Sequence, residues 1–218
     1  SFILHLAVLE WIICVSTNKR RLRQFKKVCF FDCETTGLDP FHGDRICEIA
    51  LLRVEKGKVI KSFETLINPE RGISLGAYFV NGISAEMLEG KPRFIEIVPE
   101  ILEGLGSAAV VGHNVSFDLN FLSEEFRRLG MIPLNVAALD TVRLAKRKFS
   151  LRSCALVEVA HSLGLSVPRL EAPEPGARLH RAMTDVLLLR DVFERMTAQL
   201  RQREGIVRLN ELLKIAGL

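Results

Sequence analysis

The chain has 218 residues, 48% hydrophobic and 26% charged; that suits one compact domain with a real core and short extensions, and excludes a low-complexity or repetitive chain. Net charge is +4, but residues 19–27 (KRRLRQFKK) hold six basic side chains and no acidic one, and the remainder carries 24 basic against 26 acidic residues. That balance excludes a uniformly basic nucleic-acid binder, so attraction for phosphate has to come from local patches or from metal ions.

In chain order, residues 2–15 (FILHLAVLEWIICV) are apolar except for His5 and Glu10. The run falls short of the ~20 residues that a spanning helix needs. The basic stretch after it would suit the cytoplasmic side of a membrane anchor. An extra helix packed on the domain, or an extension upstream of the fold, is the favoured reading, and membrane association through residues 2–15 is not. No small-residue cleavage site follows the run, which argues against a secretory signal. The chain starts at Ser1, not Met, which leaves room for an upstream part.

Residues 28–34 (VCFFDCE) read as a first strand and 35–43 (TTGLDPFHG) as a loop. Residues 45–69 read as two strands, with Glu55–Lys58 around Gly57 as the hairpin turn. SLGAYFVNG (74–82) is a short helix candidate. Apolar residues at 94, 97, 98, 101, 102 and 105 have helical spacing. AAVVG (108–112) is a short buried strand. Ser116 is placed as the cap of a helix through Leu129, with Gly130 ending it. Residues 136–140 read as a strand, 153–163 as a helix, and 168–178, with three of the eight prolines, as a loop. Residues 181–200 form a helix with one apolar stripe at Leu189, Val192, Phe193, Met196 and Leu200. Residues 205–218 are an amphipathic helix candidate. The order predicts an α/β fold, a mixed sheet flanked by helices with an antiparallel hairpin on one side. The domains are an extension over 1–27, the body over 28–200 and a helical tail over 201–218.

Five cysteines (14, 29, 33, 47 and 154) form no CxxC pair, and several sit in apolar runs. Reduced thiols in a cytoplasmic protein follow.

Asp32 and Glu34 are two apart in a strand and share one face with Val28 and Phe30; Cys29, Phe31 and Cys33 take the other. They lie at the strand's C-terminal end, where α/β folds bind ligands. Two ordinary acids at a solvated strand end explain that pair equally well. In HNVSFDLNFL (113–122), Asp118 falls in the first turns of a helix, where the dipole favours an anion, and stabilisation of that helix would explain it alone. Phe117 and Phe121 are i, i+4 neighbours for the core or for a stacking wall. In HRAMTDV (180–186), His180 precedes a helix and Asp185 lies inside it beside Val186–Leu189, where a carboxylate needs a partner.

Taken together, FDCETTG, HNVSFDLNFL and HRAMTD resemble the three motifs of the DEDDh, or DnaQ-like, 3′–5′ exonucleases, in the family's order. The family includes the proofreading epsilon subunit of bacterial DNA polymerase III, ribonuclease T and oligoribonuclease. The resemblance covers about residues 27–200 and implies a ribonuclease H-like five-stranded sheet. It gives Asp32, Glu34, Asp118 and Asp185 the metal-ligand roles and His180 the general-base role. A sister group carries Tyr four residues before the last Asp; here that position is Arg181. Thr35, Thr36, Gly37 and Leu38 are implied to line the pocket of the 3′-terminal nucleotide, with Asn114 and Phe117 facing the strand. Asn81 stands where the family commonly has His, which puts a base contact there in doubt. Asp140 is read as a supporting acid rather than a ligand.

The implied chemistry explains the crowding of acids. Clustered carboxylates resist ionisation without a counter-charge, and two divalent cations, Mg²⁺ or Mn²⁺, prefer an all-oxygen set. Two such ions stabilise both oxygens of an in-line phosphoryl displacement, and a histidine can take the proton of the attacking water near neutral pH. The expected products are nucleoside 5′-monophosphates. The expected partner is a single-stranded 3′ end, of DNA rather than RNA, with a polymerase subunit as a further candidate partner. An exoribonuclease on the same acids, and a non-catalytic binding module on the same fold, are the rival readings.

Overall fold

The computed structural model describes residues 27–151, 153–167, 180–206 and 208–218. The apolar run 2–15, all but the last residue of the basic run and the proline-rich loop 168–178 lie outside the described residues. Among the described residues, no helix is long and apolar enough to cross a membrane.

The sheet has five strands: β1 (Lys27–Thr35), β2 (Ile46–Glu55), β3 (Lys58–Leu66), β4 (Ala109–Gly112) and β5 (Ala138–Asp140). Their order is β3-β2-β1-β4-β5. β2 runs antiparallel to β1 and β3, whereas β4 runs parallel to β1 and β5. The β2–β3 turn is the two-residue Lys56–Gly57, both with positive φ, which matches the twist of a tight hairpin. β3 is the edge strand and exposes Lys58, which discourages pairing with another chain. The opposite edge is covered by the tail: Leu139 bridges Gly217, and the Leu218 N–H donates to the Ala138 carbonyl.

Eight α-helices are described: α1 (Leu75–Asn81), α2 (Ala85–Leu88), α3 (Phe94–Leu105), α4 (Val115–Arg128), α5 (Thr141–Lys148), α6 (Leu156–Ser162), α7 (Ala182–Glu204) and α8 (Leu209–Ala216). They make two cores, one on each face of the sheet. Val28, Phe30, Ala50 and Leu52 pack against α7, with Phe30 and Phe193 edge to face at 5.7 Å. Cys29, Phe31, Ile49 and Leu51 pack against α3 and α4, where Phe94 and Phe126 also meet at 5.7 Å. The two-residue alternation read from β1 is therefore the alternation between these cores.

Three local expectations shift. α4 starts at Val115 with Asn114 as its N-cap residue at φ 69, ahead of Ser116, because the Asn114 N–H is held by Asp140 Oδ1 at 2.9 Å. In α3, Leu102 is exposed while Ile101 and Leu105 are buried. α7 carries more than one stripe: Ala182, Met183, Val186, Leu187, Leu188 and Leu189 are all buried, because the helix lies between the sheet and α6. Among the described cysteines, Cys29, Cys33, Cys47 and Cys154 are free thiols.

Candidate active site

β1 delivers Asp32 and Glu34 to its C-terminal end on the α7 face. The antiparallel register sets Asp32 opposite Ala50 and Glu34 opposite Glu48, before a bulge at Thr35. Asp118 and Asp185 lie in the first turns of α4 and α7, where the helix dipoles favour negative charge. Three separate elements thus bring four carboxylates together. Glu34, Asp118 and Asp185 are buried, and Asp32 is partly open.

Asp118 is held to the sheet by Cys33, whose backbone N–H and thiol donate to Oδ1 at 3.1 and 3.3 Å. His180 Nδ1 lies 3.3 Å from Asp185 Oδ2, with the imidazole half-exposed. Glu34, His180 and Asp185 each offer an atom within 4.8 Å of the others.

The cluster's electrostatics are those of like charges crowded into a largely buried site. Burial pushes the Glu34 carboxyl up to about 8; Asp185, Glu48 and Asp118 add to this, and a hydrogen bond from Asn81 opposes it. Burial pushes Asp118 up to about 7 against the opposing Cys33 hydrogen bonds. Asp32 is held well above the ordinary carboxylate range by burial first, then by Asp118, Asp185, Glu34 and Glu48. Burial, then Asp118, raises the Cys33 thiol as well, so it stays protonated and able to donate.

The loop after β1 is fixed from within. Thr35 Oγ1 donates to the Gly37 carbonyl at 2.6 Å. Thr36 Oγ1 donates to Asp44 at 3.3 Å and accepts from the Arg45 N–H at 3.0 Å. Asp44 comes so close to Gly37 that a Cβ there would lie 2.2 Å from its Oδ2, so the loop needs glycine at this position. The threonine hydroxyls are thus engaged in the loop, while Leu38 is 84% exposed at its tip. Asn114 is exposed; Phe117 is partly buried, its ring 4.9 Å from that of Phe121. Asp140 accepts from the N–H groups of Asn114 and Val142, the supporting role read for it.

Two functional neighbours escaped sequence reasoning. Glu48 is fully buried and pairs with Arg181, the residue after His180. Its signal was present: a lone acid in the apolar strand ICEIALLRV, in phase with Ala50 and Leu52. Asn81, noted only for differing from the family's His, is buried; it donates to the Thr35 carbonyl at 3.3 Å and accepts from the Ile83 N–H at 3.0 Å.

A mixed five-stranded sheet in this order, with acids at the strand ends and helices on both faces, is the architecture of the ribonuclease H-like nucleases. A family profile described as exonuclease, of the RNase T group, matches residues 29–193. The PolC-type DNA polymerase III of Thermotoga maritima is 35% identical over 184 residues, which are 84% of this chain and 13% of that protein. The DNA polymerase III subunit epsilon of Rickettsia felis is 34% identical over 171 residues, 76% of this chain and 72% of that protein. A solved structure of Exonuclease X in complex with 5′ overhanging duplex DNA superposes with TM-score 0.61 at 25% identity, covering 86% of this chain and 98% of that one. The chain belongs to the DnaQ-like 3′–5′ exonuclease family. Its described body is a nuclease domain of the hydrolase class, and it spans only a small part of the PolC-type relatives.

Proposed function

We propose that residues 28–200 form a two-metal 3′–5′ exonuclease domain that removes nucleoside 5′-monophosphates from single-stranded DNA ends. The observation that carries this reading is the mutual repulsion of Asp32, Glu34, Asp118 and Asp185 at one end of the sheet, with His180 against Asp185. The donor set fits Mg²⁺ or Mn²⁺: the four acids offer only oxygen, and burial with mutual repulsion leaves Asp32, Glu34 and Asp118 short of positive charge. When bound, such ions would polarise the scissile phosphate and acidify a water.

The chain's own residues divide the remaining work. Asp185 receives His180 Nδ1, which sets Nε2 as the atom that accepts a proton from the attacking water. Cys33 keeps Asp118 turned toward the sheet. The loop stiffened by Thr35, Thr36 and Gly37 presents Leu38 to the terminal nucleotide, and Asn114 and Phe117 face the strand behind it. Stacking on an aromatic ring tolerates any base, as an exonuclease requires.

DNA rather than RNA is favoured by the names of the relatives, which are DNA polymerase III proteins. The epsilon relatives are named as subunits, which supports a polymerase subunit as a partner. The test is incubation with 5′-labelled single-stranded DNA and matching RNA, with Mg²⁺, Mn²⁺ or EDTA and with Asp185→Ala as control. A metal-dependent ladder shortening from the 3′ end of DNA, absent in the variant, is expected. Faster shortening of RNA would overturn the substrate assignment. No cleavage of either strand by folded protein would overturn the catalytic reading.

A further inference from the structure

Glu48 is fully buried and lies directly across the β1–β2 pair from Glu34. A fifth carboxylate so close to four others needs a reason, because an uncompensated buried charge is heavily penalised. Its oxygens are spoken for. Oε1 accepts from Arg181 Nε at 3.0 Å and Nη2 at 2.6 Å. Oε2 accepts from Arg181 Nε at 3.1 Å and from the Ala182 N–H at 3.0 Å. Nη2 on Oε1 and Nε on Oε2 make the forked guanidinium–carboxylate contact that fixes direction as well as distance. The last bond caps the first residue of α7 from outside the helix, and no side chain of the N-cap residue Arg181 does so. Glu48 is therefore fully engaged as a hydrogen-bond acceptor and is not a fifth metal ligand.

Arg181 stands between His180 and the first turn that carries Asp185. Pinning its head to β2 fixes where the chain enters α7, and with it the approach of His180 to Asp185. The pair also keeps a cation occupied that would otherwise lie free among the acids.

We propose that Glu48 and Arg181 are positioning residues: their buried ion pair sets His180 and the start of α7 against the four carboxylates. This rests on the exonuclease reading above. Removing Glu48 has two consequences. His180 loses its fixed approach, and the released guanidinium competes with divalent cations for Glu34 and Asp185.

The test is a double-mutant cycle on the full chain, with Glu48→Gln, His180→Ala and the pair combined. Hydrolysis of single-stranded DNA gives kcat and KM, and calorimetry gives Mn²⁺ affinity. Glu48→Gln is expected to lower kcat about 10- to 100-fold with KM within about threefold, and to weaken Mn²⁺ binding about tenfold. In the His180→Ala background the same change should lower kcat less than about threefold, because the effect runs through His180. Arg181→Lys should not restore the rate, since an ammonium lacks the fork. Glu48→Met with Arg181→Met removes both buried charges and guards against simple misfolding: it should fold and remain slow. Wild-type kcat in Glu48→Gln, full additivity with His180→Ala, or a stable double-Met variant at wild-type rate would each overturn the proposal. In all three the wild-type chain is active, so the exonuclease reading would stand; an inactive wild type would sink both.

Discussion

Metal removal should make this protein less stable as pH rises, and the acids in its site set the size of the effect. Burial places Glu34 at about 8 against an ordinary 4.5, and Asp118 at about 7 against 3.8. A carboxyl raised on folding holds its proton longer in the native chain than in the unfolded one. Between the two values the native state binds more protons, so stability is lost as pH rises through that window. From pH 5.5 to 7.5 the Glu34 shift corresponds to about 2.5 kcal/mol and the Asp118 shift to about 2 kcal/mol. Both are upper figures, because water reaches the site on the open side of Asp32. At about 2–4 °C per kcal/mol for a chain of this size, Tm in EDTA should fall by roughly 5–15 °C over that range. Glu34→Gln removes one titration without changing shape, so its Tm should fall less steeply. At pH 7.5 the metal-free variant should outlast metal-free wild type, although it has lost a proposed catalytic residue. Saturating Mn²⁺ should lift wild-type Tm more at pH 7.5 than at 5.5, because at the higher pH fewer protons compete for the carboxylates. Scanning calorimetry across four buffers measures all of this. A wild-type Tm in EDTA that is flat or rising from pH 5.5 to 7.5, with Glu34→Gln parallel to it, would refute the reasoning.

Other perturbations separate the site's parts. His180→Ala should lower kcat by about 10²–10⁴-fold, while calorimetric Mn²⁺ affinity stays within about threefold. Asn81→Ala removes the donor to the Thr35 carbonyl and the acceptor for the Ile83 N–H; it should destabilise the chain by about 1–3 kcal/mol in urea titrations. The same change deletes the hydrogen bond that opposes the rise of Glu34, so the pH of half-maximal Mn²⁺ binding should move upward. Gly37→Ala drives a methyl group into Asp44, which also holds Thr36 and the Asp39 N–H. It should destabilise by about 1–3 kcal/mol and raise KM for single-stranded DNA more than it lowers kcat.

What could be read from the sequence was whatever local periodicity decides. Asp32 and Glu34 fall on one face because a strand alternates, and Val28 and Phe30 beside them do enter the α7 core. The Lys56–Gly57 hairpin was visible because only a few turns connect strands so tightly. Glu48 was not found, because its significance depends on the β1–β2 register, and no local pattern states which residue faces Glu34. The start of α4 was misplaced because its decisive contact comes from Asp140, 26 residues away in sequence. α7 read as one-sided because a stripe count sees only the sheet, whereas α6 covers a second side. Thr35 and Thr36 are implied by the resemblance to line a nucleotide pocket; that their hydroxyls also brace the loop, through Gly37, Asp44 and Arg45, depends on contacts that only the folded loop makes.

The same contrast explains how the chain tolerates so acidic a centre. Two apolar cores pack the sheet from both faces and support the strand end that carries Asp32 and Glu34. Partial positive charge arrives from the first turns of α4 and α7, and full positive charge from Arg181, but that guanidinium is committed to Glu48. The compensation therefore stops one step short: it covers the fifth carboxylate and leaves Asp32, Glu34 and Asp118 raised. An arginine aimed at these three acids would stabilise the resting protein, yet it would fill the space and satisfy the charge that divalent cations require. A site that must stay open to cations is better served by leaving the deficit in place, with the ion pair set one residue behind His180.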